Sequence, residues 1–307
     1  MTLRALCVPG PTGAGKTAAA IALARAVGGG VVNFDSRQVF ADFPVITAQP
    51  TAEERAACPH LLYGFLPTAE SLSAGAYADL ARQAVEETAA RGMVPILVGG
   101  TGFYLRALLA PLAPIPPTPA AIRAAVQARW EEQGTALHEA LARLDPTAAA
   151  RIHPHDQQRV TRALEVLEAT GRTLSDWHRE GAVGPGWEVL KLGVALPAAA
   201  LRERLAARIT VMLAAGAVAE ARAALVQCPD RTAPGWSGIG CAELGAHLAG
   251  EMDLDAACDL WLRNTRAYAK RQMTWFRRDA SIRWFEPGQE GAMIQAARGF
   301  LSGNMPG

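Results

Sequence analysis

The sequence predicts an α/β protein: a P-loop NTPase-like parallel sheet flanked by helices, with an inserted all-helical subdomain. Three observations carry that expectation. A complete Gly-x4-Gly-Lys-Thr signature, Gly10-Pro11-Thr12-Gly13-Ala14-Gly15-Lys16-Thr17, sits between a short apolar run and a helical one, the strand–loop–helix order of a phosphate-binding loop. Apolar runs then alternate with helical stretches as far as Val98, the pattern of a parallel sheet. Beyond a proline-rich segment the chain turns alanine-rich and helical, and strand character returns only at Glu188.

Each element follows from local composition. Arg4–Pro9 is largely apolar and reads as a buried first strand. Lys16–Val27 contains no Gly or Pro and reads as a helix, ended by Gly28-Gly29-Gly30. Val31-Val32-Asn33-Phe34 predicts a second strand ending at Asp35, and the polar stretch marked by Pro44, Pro50 and Pro59 predicts a loop. Ala74–Arg91 is helical by composition, and Gly92 leads into a third strand, Val94–Val98, closed by Gly99-Gly100. Pro111, Pro114, Pro116-Pro117 and Pro119 mark a linker over 110–119. Ala120 to about Arg179 reads as a helical insertion, Gly181–Gly186 as a second hinge, Glu188–Leu196 as a strand and Leu201–Ala280 as mostly helical. The predicted division is residues 1–114 for the first part of the α/β core, 115–187 for a helical insertion, and 188–307 for completion of the core with basic C-terminal helices.

At 307 residues the chain is long enough for a large core and for about two domains. Hydrophobic residues make up 50% and charged residues 19%, as in ordinary globular proteins, and the net charge of +1 implies no polyanionic partner by itself. Cys7, Cys58, Cys228, Cys241 and Cys258 are odd in number and form no C-x-x-C pair. This argues against a disulfide framework or a zinc site and for a reducing, cytoplasmic compartment. No basic leader with an apolar core opens the sequence, and no stretch approaches the ~20 apolar residues of a membrane span. No membrane association and no obligate protein partner are expected.

Small residues in the loop let backbone N–H groups converge on phosphate oxygens, and the following helix N-terminus adds partial positive charge. Lys16 has the reach for a terminal phosphate, and Thr17 has the hydroxyl for Mg²⁺. Asp35, at the carboxyl end of a strand, is expected in the ligand crevice, where Mg²⁺ binding and general-base work are both open to it. A local cap within Asp35-Ser36 is the structural alternative. The third strand ends in Gly99-Gly100-Thr101, where a P-loop ATPase places an Asp, which weakens hydrolytic and motor readings. Between residues 262 and 284, Arg263, Arg266, Lys270, Arg271, Arg277, Arg278 and Arg283 face only Asp279, with Tyr268, Trp275 and Phe276 interleaved. That stripe suits a phosphate backbone or, equally, a solvated helix with core aromatics. Arg159 and Arg162 form a second basic cluster after His153-Pro154-His155-Asp156, where capping is favoured over metal binding by the histidines.

Taken together, the blocks Gly10–Thr17, Asp35-Ser36-Arg37-Gln38, Thr47-Ala48-Gln49-Pro50, Pro59-His60, Ser73-Ala74-Gly75, Gly99–Tyr104, His153–Val166, Gly238-Ile239-Gly240, Thr265–Gln272 and Thr274–Arg277 resemble those of bacterial tRNA dimethylallyltransferases over nearly the whole chain. The resemblance implies transfer of a dimethylallyl group from its diphosphate to N6 of an adenosine 3′ to the anticodon, with tRNA (the anticodon stem-loop) and dimethylallyl diphosphate as partners and Mg²⁺ as cofactor. It implies Asp35 as general base, with Lys16 and Thr101 also catalytic. The diphosphate would be held by Gly10 to Thr17 and Arg208, with Thr17 on the metal. The tRNA would be contacted by Asp35, Ser36, Arg37, Gln38, Thr101, Arg123, Gln158, Arg159, Val160, Thr161 and Arg162, with Arg266 and Lys270 from the basic stripe. The sequence departs from the family pattern at Phe40, Gln49, Leu61 and Cys241-Ala242. A small-molecule P-loop kinase, an adenylate prenyltransferase and an ATP-gated RNA-binding module share some of these features and stay open at this point, as does nucleotide binding at the loop.

Overall fold

The computed structural model describes residues 2–110, 113–179 and 184–303. It resolves into two compact units, Met1–Leu109 with Pro185–Gly307, and Ala110–Gly184. Pro111 and the Gly181 end of the second hinge lie outside the described residues.

The larger unit is built on a six-stranded sheet: β1 (Arg4–Pro9), β2 (Gly29–Asn33), β3 (His60–Leu61), β4 (Val94–Gly99), β5 (Glu188–Val194) and β6 (Arg283–Phe285) in the order β3-β2-β4-β1-β5-β6. Every pairing is parallel, so both faces must be covered, and near-continuous apolar strands follow from that. Alternation along β1 sends Leu6 and Val8 to one face and Cys7 to the other. On the first face they meet Ala20 and Leu23 of α1 (Lys16–Val27) and Met293 and Ala297 of α14; the latter helix is Glu290–Ser302. The second face packs Tyr77 of α3 (Ala74–Ala90), Leu108 of α4 (Gly102–Leu109) and Phe276 of α13 (Leu254–Phe276). A third cluster, centred on an edge-to-face Phe43–Trp236 contact at 5.1 Å, joins the segment after β2 to α10 (Ala198–Ala214), α11 (Ala217–Gln227) and α12 (Cys241–Leu248). No single described helix is long and apolar enough to cross a membrane; α10 and α11 together are, but they bend by 64°, and Leu205, Ile209 and Ala221 on them are core residues.

Several sequence expectations shift. The second strand begins at Gly29, because glycines there let β4 and α3 approach: a Cβ on Gly29 would lie 2.6 Å from Ile96, and one on Gly30 would lie 3.0 Å from Thr88. Only Gly28, with φ +67°, caps the helix. The expected loop after Asp35 contains α2 (Ala52–Ala57), started by a Thr51–Glu54 capping box, and the two-residue β3, which pairs only with Val31 and Val32. The strand β6 is not foreseen by the sequence reading. Three residues are too short for a periodic signal.

The smaller unit carries α5 (Ala120–Gln133), α6 (Ala136–Leu144), α7 (Pro146–Ala149), α8 (Gln157–Thr170) and α9 (Leu174–Arg179). Val126, Leu137, Leu141, Val160 and Leu164 form its own core. Asp145 caps α7 through the Ala148 N–H and also accepts from the Ser175 N–H, which ties the start of α7 to α9.

Candidate active site

The site lies where β1, β2 and β4 end. β1 and β4 are neighbours whose onward connections run in opposite directions across the sheet, so a crevice opens at their carboxyl ends. After β1, the loop turns through Gly13 (φ +78°) and Gly15 (φ +99°), conformations that favour glycine. Gly10 is required for another reason, since a Cβ there would sit 2.2 Å from the Val194 carbonyl oxygen of β5. The Lys16 ammonium donates to the Pro11 carbonyl at 2.9 Å. Burial pushes its pKa down to about 8, against the opposing pull of Asp35 and with a further push from Arg208. Burial likewise lowers the pKa of Arg208, on α10; Asp35 opposes that shift and Arg204 adds to it. Arg204 lies one turn before Arg208, its guanidinium about 3.5 Å from where a Cβ on Gly15 would be. The cradle is therefore strongly cationic and made for an anion of more than one charge.

Asp35 follows β2 directly. Its backbone N–H donates to the Asn33 side-chain oxygen at 2.8 Å, and the Asn33 amide donates to the Asp35 and Leu62 carbonyls. Asn33 is fully buried, so it fixes the turn that presents the carboxylate. One carboxylate oxygen accepts from the Arg37 N–H at 3.0 Å, an Asx turn that leaves the second oxygen facing Gly100. Thr101 closes the other side: its hydroxyl accepts from the Ser36 N–H at 2.9 Å and donates to the Ser36 hydroxyl at 3.1 Å. Gln272 on α13 joins the two loops. Its carbonyl accepts from the Thr12 N–H at 2.8 Å and its amide donates to the Gly100 carbonyl at 2.9 Å. A Cβ on Gly100 would lie 2.1 Å from that amide, which explains the glycine.

These groups bound a cavity of about 420 Å³. Thr12, Asp35, Thr101 and Arg208 line its polar part, and Ile46, Ile209, Met212 and Trp261 are among its apolar lining. Tyr268 and Arg271 also line it. Burial raises the Tyr268 pKa to about 12, with Asp35 adding to the rise and a hydrogen bond to Thr101 opposing it.

The structure brings together the loop, Asp35, Ser36, Arg37, Thr101 and Arg208. Other expected contacts are already used internally. Gln38 donates to the Thr47 and Ala48 carbonyls, and Arg37 donates to the Pro234 carbonyl and the Ser237 hydroxyl. Arg266 and Lys270 are exposed on α13 but do not line the cavity; Thr265, Tyr268 and Arg271 do. In the smaller unit Arg123, Gln158 and Arg159 are exposed. Val160 and Thr161 are corrections: Val160 is wholly buried in that unit's core, and Thr161 is 6% exposed with its hydroxyl on the Gln157 carbonyl. The three-to-four-residue repeat of α8 turns both inward while Gln158 and Arg159 face out. Arg162 donates to the Thr118 hydroxyl at 2.7 Å. Asp156 caps α8 through the Arg159 N–H.

Among the described residues, no cluster of three or more His, Cys, Asp or Glu side chains is placed to hold a metal ion. The Thr17 hydroxyl, half-buried at the start of α1, makes no hydrogen bond within the described residues. One hydroxyl beside a phosphate cradle fits Mg²⁺, which keeps its waters and binds through few protein oxygens plus substrate phosphates. Sequence reasoning missed Arg204, Asn33, Gln272 and Tyr268 as site residues. The spacing of Arg204 and Arg208, one helical turn apart, was the one available signal for Arg204.

A parallel sheet with a glycine-rich cradle, an acidic strand end and an inserted helical unit defines a P-loop-like α/β protein. The chain belongs to the IPP transferase family, whose profile matches residues 38–279, and is accordingly a transferase. It is 55% identical to the tRNA dimethylallyltransferase of Nitratidesulfovibrio vulgaris over 303 residues, covering 97% of each chain. It is 43% identical to that of Rhodopseudomonas palustris over 300 residues, covering 96% of this chain and 95% of the relative. The solved full-length tRNA isopentenylpyrophosphate transferase of Bacillus halodurans superposes with a TM-score of 0.70 at 33% identity, covering 99% of this chain and 97% of the other. A eukaryotic dimethylallyltransferase acting on tRNA gives a TM-score of 0.87 at 25% identity, covering 99% and 81%.

Proposed function

We propose that the enzyme transfers the dimethylallyl group of dimethylallyl diphosphate to N6 of the adenosine 3′ to the anticodon in tRNA. The observation that carries this reading is a single cavity lined both by the phosphate-loop residue Thr12 with Arg208 and by Asp35 with Thr101. A diphosphate at the loop and an adenine beside Asp35 would share that space.

The chemistry follows from the groups present. The exocyclic amine of adenine is a weak nucleophile because its lone pair is delocalised into the ring. As N6 attacks C1 of the dimethylallyl group, the C1–O bond breaks and its electron pair leaves with the diphosphate. The N6 proton passes to the Asp35 carboxylate, the general base. Thr101, tied to Ser36 and sharing the cavity wall with Tyr268, orients the adenine edge. Lys16, Arg208, Arg204 and the backbone N–H groups of Gly13, Gly15, Lys16 and Thr17 receive the charge that develops on the leaving group. Mg²⁺, held by Thr17 and the diphosphate oxygens, would supply further charge neutralisation. The absence of a carboxylate at the end of β4 suits transfer to nitrogen over hydrolysis.

The exposed cations Arg263, Arg266, Lys270, Arg277 and Arg278 on and after α13 support a polynucleotide acceptor over a mononucleotide. Arg123, Gln158, Arg159 and Arg162 give the helical unit a polar surface for the same partner. The modified adenosine must leave its stack to reach Asp35. Five free cysteines and a tRNA acceptor support a cytoplasmic site of action. Incubation with unmodified tRNA, Mg²⁺ and dimethylallyl diphosphate, followed by nucleoside mass analysis, should give a prenylated adenosine. ATP-dependent phosphorylation of a small molecule with no such nucleoside would overturn the proposal.

A further inference from the structure

One face of α13 has a feature that the transfer reaction leaves unused. Tyr268, Arg271 and Trp275 recur at helical spacing and so share a stripe. Tyr268 and Arg271 line the cavity, with the Arg271 guanidinium 5.7 Å from the Tyr268 ring. Trp275 lies one turn further along. Its indole edge rests on Gly102, where a Cβ would come within 2.1 Å of both Cδ1 and Nε1. The indole N–H makes no hydrogen bond among the described residues, and the side chain stays 38% exposed. Phe103, next to Gly102 at the start of α4, is 50% exposed. Two of the six large exposed hydrophobic side chains among the described residues therefore meet the start of α4, Trp275 against Gly102 and Phe103 as the next residue in the chain.

The electrostatic setting identifies what would cover them. Lys270, Arg271, Arg277 and Arg278 flank Trp275 in sequence and are exposed. The one acidic residue of that segment, Asp279, is already engaged by Lys191 at 2.6 Å. Aromatic faces among unpaired cations are the surface that receives single-stranded nucleic acid, with bases on the rings and phosphates on the cations. A protein partner would call for an apolar centre within a polar rim of mixed charge.

We propose that Phe103 and Trp275 form a stacking platform for an unpaired base flanking the target adenosine, with Arg277 and Arg278 on the adjoining phosphates. This rests on the reading of the enzyme as a tRNA prenyltransferase. Stacking on the platform would hold the loop open while the adenine occupies the cavity, so the two aromatic residues are positioning residues for the acceptor.

The test uses an anticodon stem-loop RNA carrying 2-aminopurine in turn on either side of the target adenosine. With the wild-type enzyme we expect fluorescence quenching at one flanking position. Trp275→Ala and Phe103→Ala should each abolish that quenching and weaken RNA binding about tenfold or more. KM for dimethylallyl diphosphate and the salt slope of RNA binding should not change, and Trp275→Tyr should restore affinity. Phe103→Ala, at an exposed position, serves if Trp275→Ala does not fold. Wild-type RNA affinity in both alanine variants, or a loss matched by raised KM for dimethylallyl diphosphate, would overturn the platform. If the wild-type enzyme makes no prenylated adenosine, the reading of the reaction fails instead.

Discussion

Gln272→Ala should damage both stability and diphosphate binding, and the structure sets the size of the effect. The Gln272 side chain is 4% exposed and holds the Thr12 N–H at 2.8 Å and the Gly100 carbonyl at 2.9 Å. Truncation leaves both groups without a partner at a cost of about 1–3 kcal/mol each. Thr12 is half-buried and can be rehydrated, whereas Gly100 is buried, so the sum is about 2–4 kcal/mol. At about 2–4 °C per kcal/mol for a unit of this size, Tm should fall by roughly 4–16 °C. Freed from Gln272, the loop at Thr12 loses its preset shape, and KM for dimethylallyl diphosphate should rise. Gln272→Glu sharpens the test. A carboxylate can still accept from Thr12, but its second oxygen faces the Gly100 carbonyl, so this variant should be destabilised at neutral pH and recover as the carboxyl protonates. Differential scanning calorimetry and steady-state kinetics read both effects. An alanine variant within about 1 °C of wild type with unchanged KM would refute the bridging role.

Asp35→Asn preserves the oxygen that accepts from the Arg37 N–H, so tRNA affinity should hold while single-turnover rate falls about 10²–10⁴-fold; full turnover would remove Asp35 as the base. The Lys16 pKa of about 8 makes binding of dimethylallyl diphosphate pH-dependent. Affinity measured by calorimetry should be flat below about pH 8 and fall towards tenfold per unit above it, because the neutral amine no longer attracts the anion. The sign for stability is opposite. The folded value lies below lysine's ordinary 10.5, so burial penalises the charged form and the unliganded protein should gain stability as pH rises through 8 towards 10.5. An affinity profile flat to pH 9.5 would contradict the buried cradle. Arg266→Ala and Lys270→Ala should each weaken tRNA binding and reduce its slope against log salt by about 0.7–0.9 if each meets one phosphate; an unchanged slope would return α13 to the role of a solvated surface.

What was legible in the sequence is what local chemistry writes there. The loop glycines, Lys16 and Thr17 announce themselves because phosphate binding needs small residues, a cation and a hydroxyl at fixed spacing. Asp35 and Gly99-Gly100-Thr101 were readable because both end apolar strands, and strand ends in parallel sheets face the ligand. Gln272 was not readable as a structural bridge, since its partner Thr12 is 260 residues away and only packing of α13 against the loops gives the amide its purpose. Gly102 looked like part of a motif, yet its reason is the Trp275 indole resting on it. Gln49, a departure from the family pattern, is 8% exposed and donates to the Phe40 carbonyl at 2.7 Å while accepting from Arg55; it is a buried loop tie, invisible to a reading based on charge. Val160 went wrong in the opposite direction. A resemblance transferred it as a contact residue, while the helical repeat of α8 gives it to the core.

The central claim is that the P-loop holds a departing diphosphate while the prenyl group moves to adenine. Its most direct test is the stoichiometry of products in one reaction with tRNA and dimethylallyl diphosphate. We expect one diphosphate released for each N6-dimethylallyladenosine formed, with no orthophosphate. Orthophosphate as the product, or diphosphate released without a prenylated nucleoside, would contradict it.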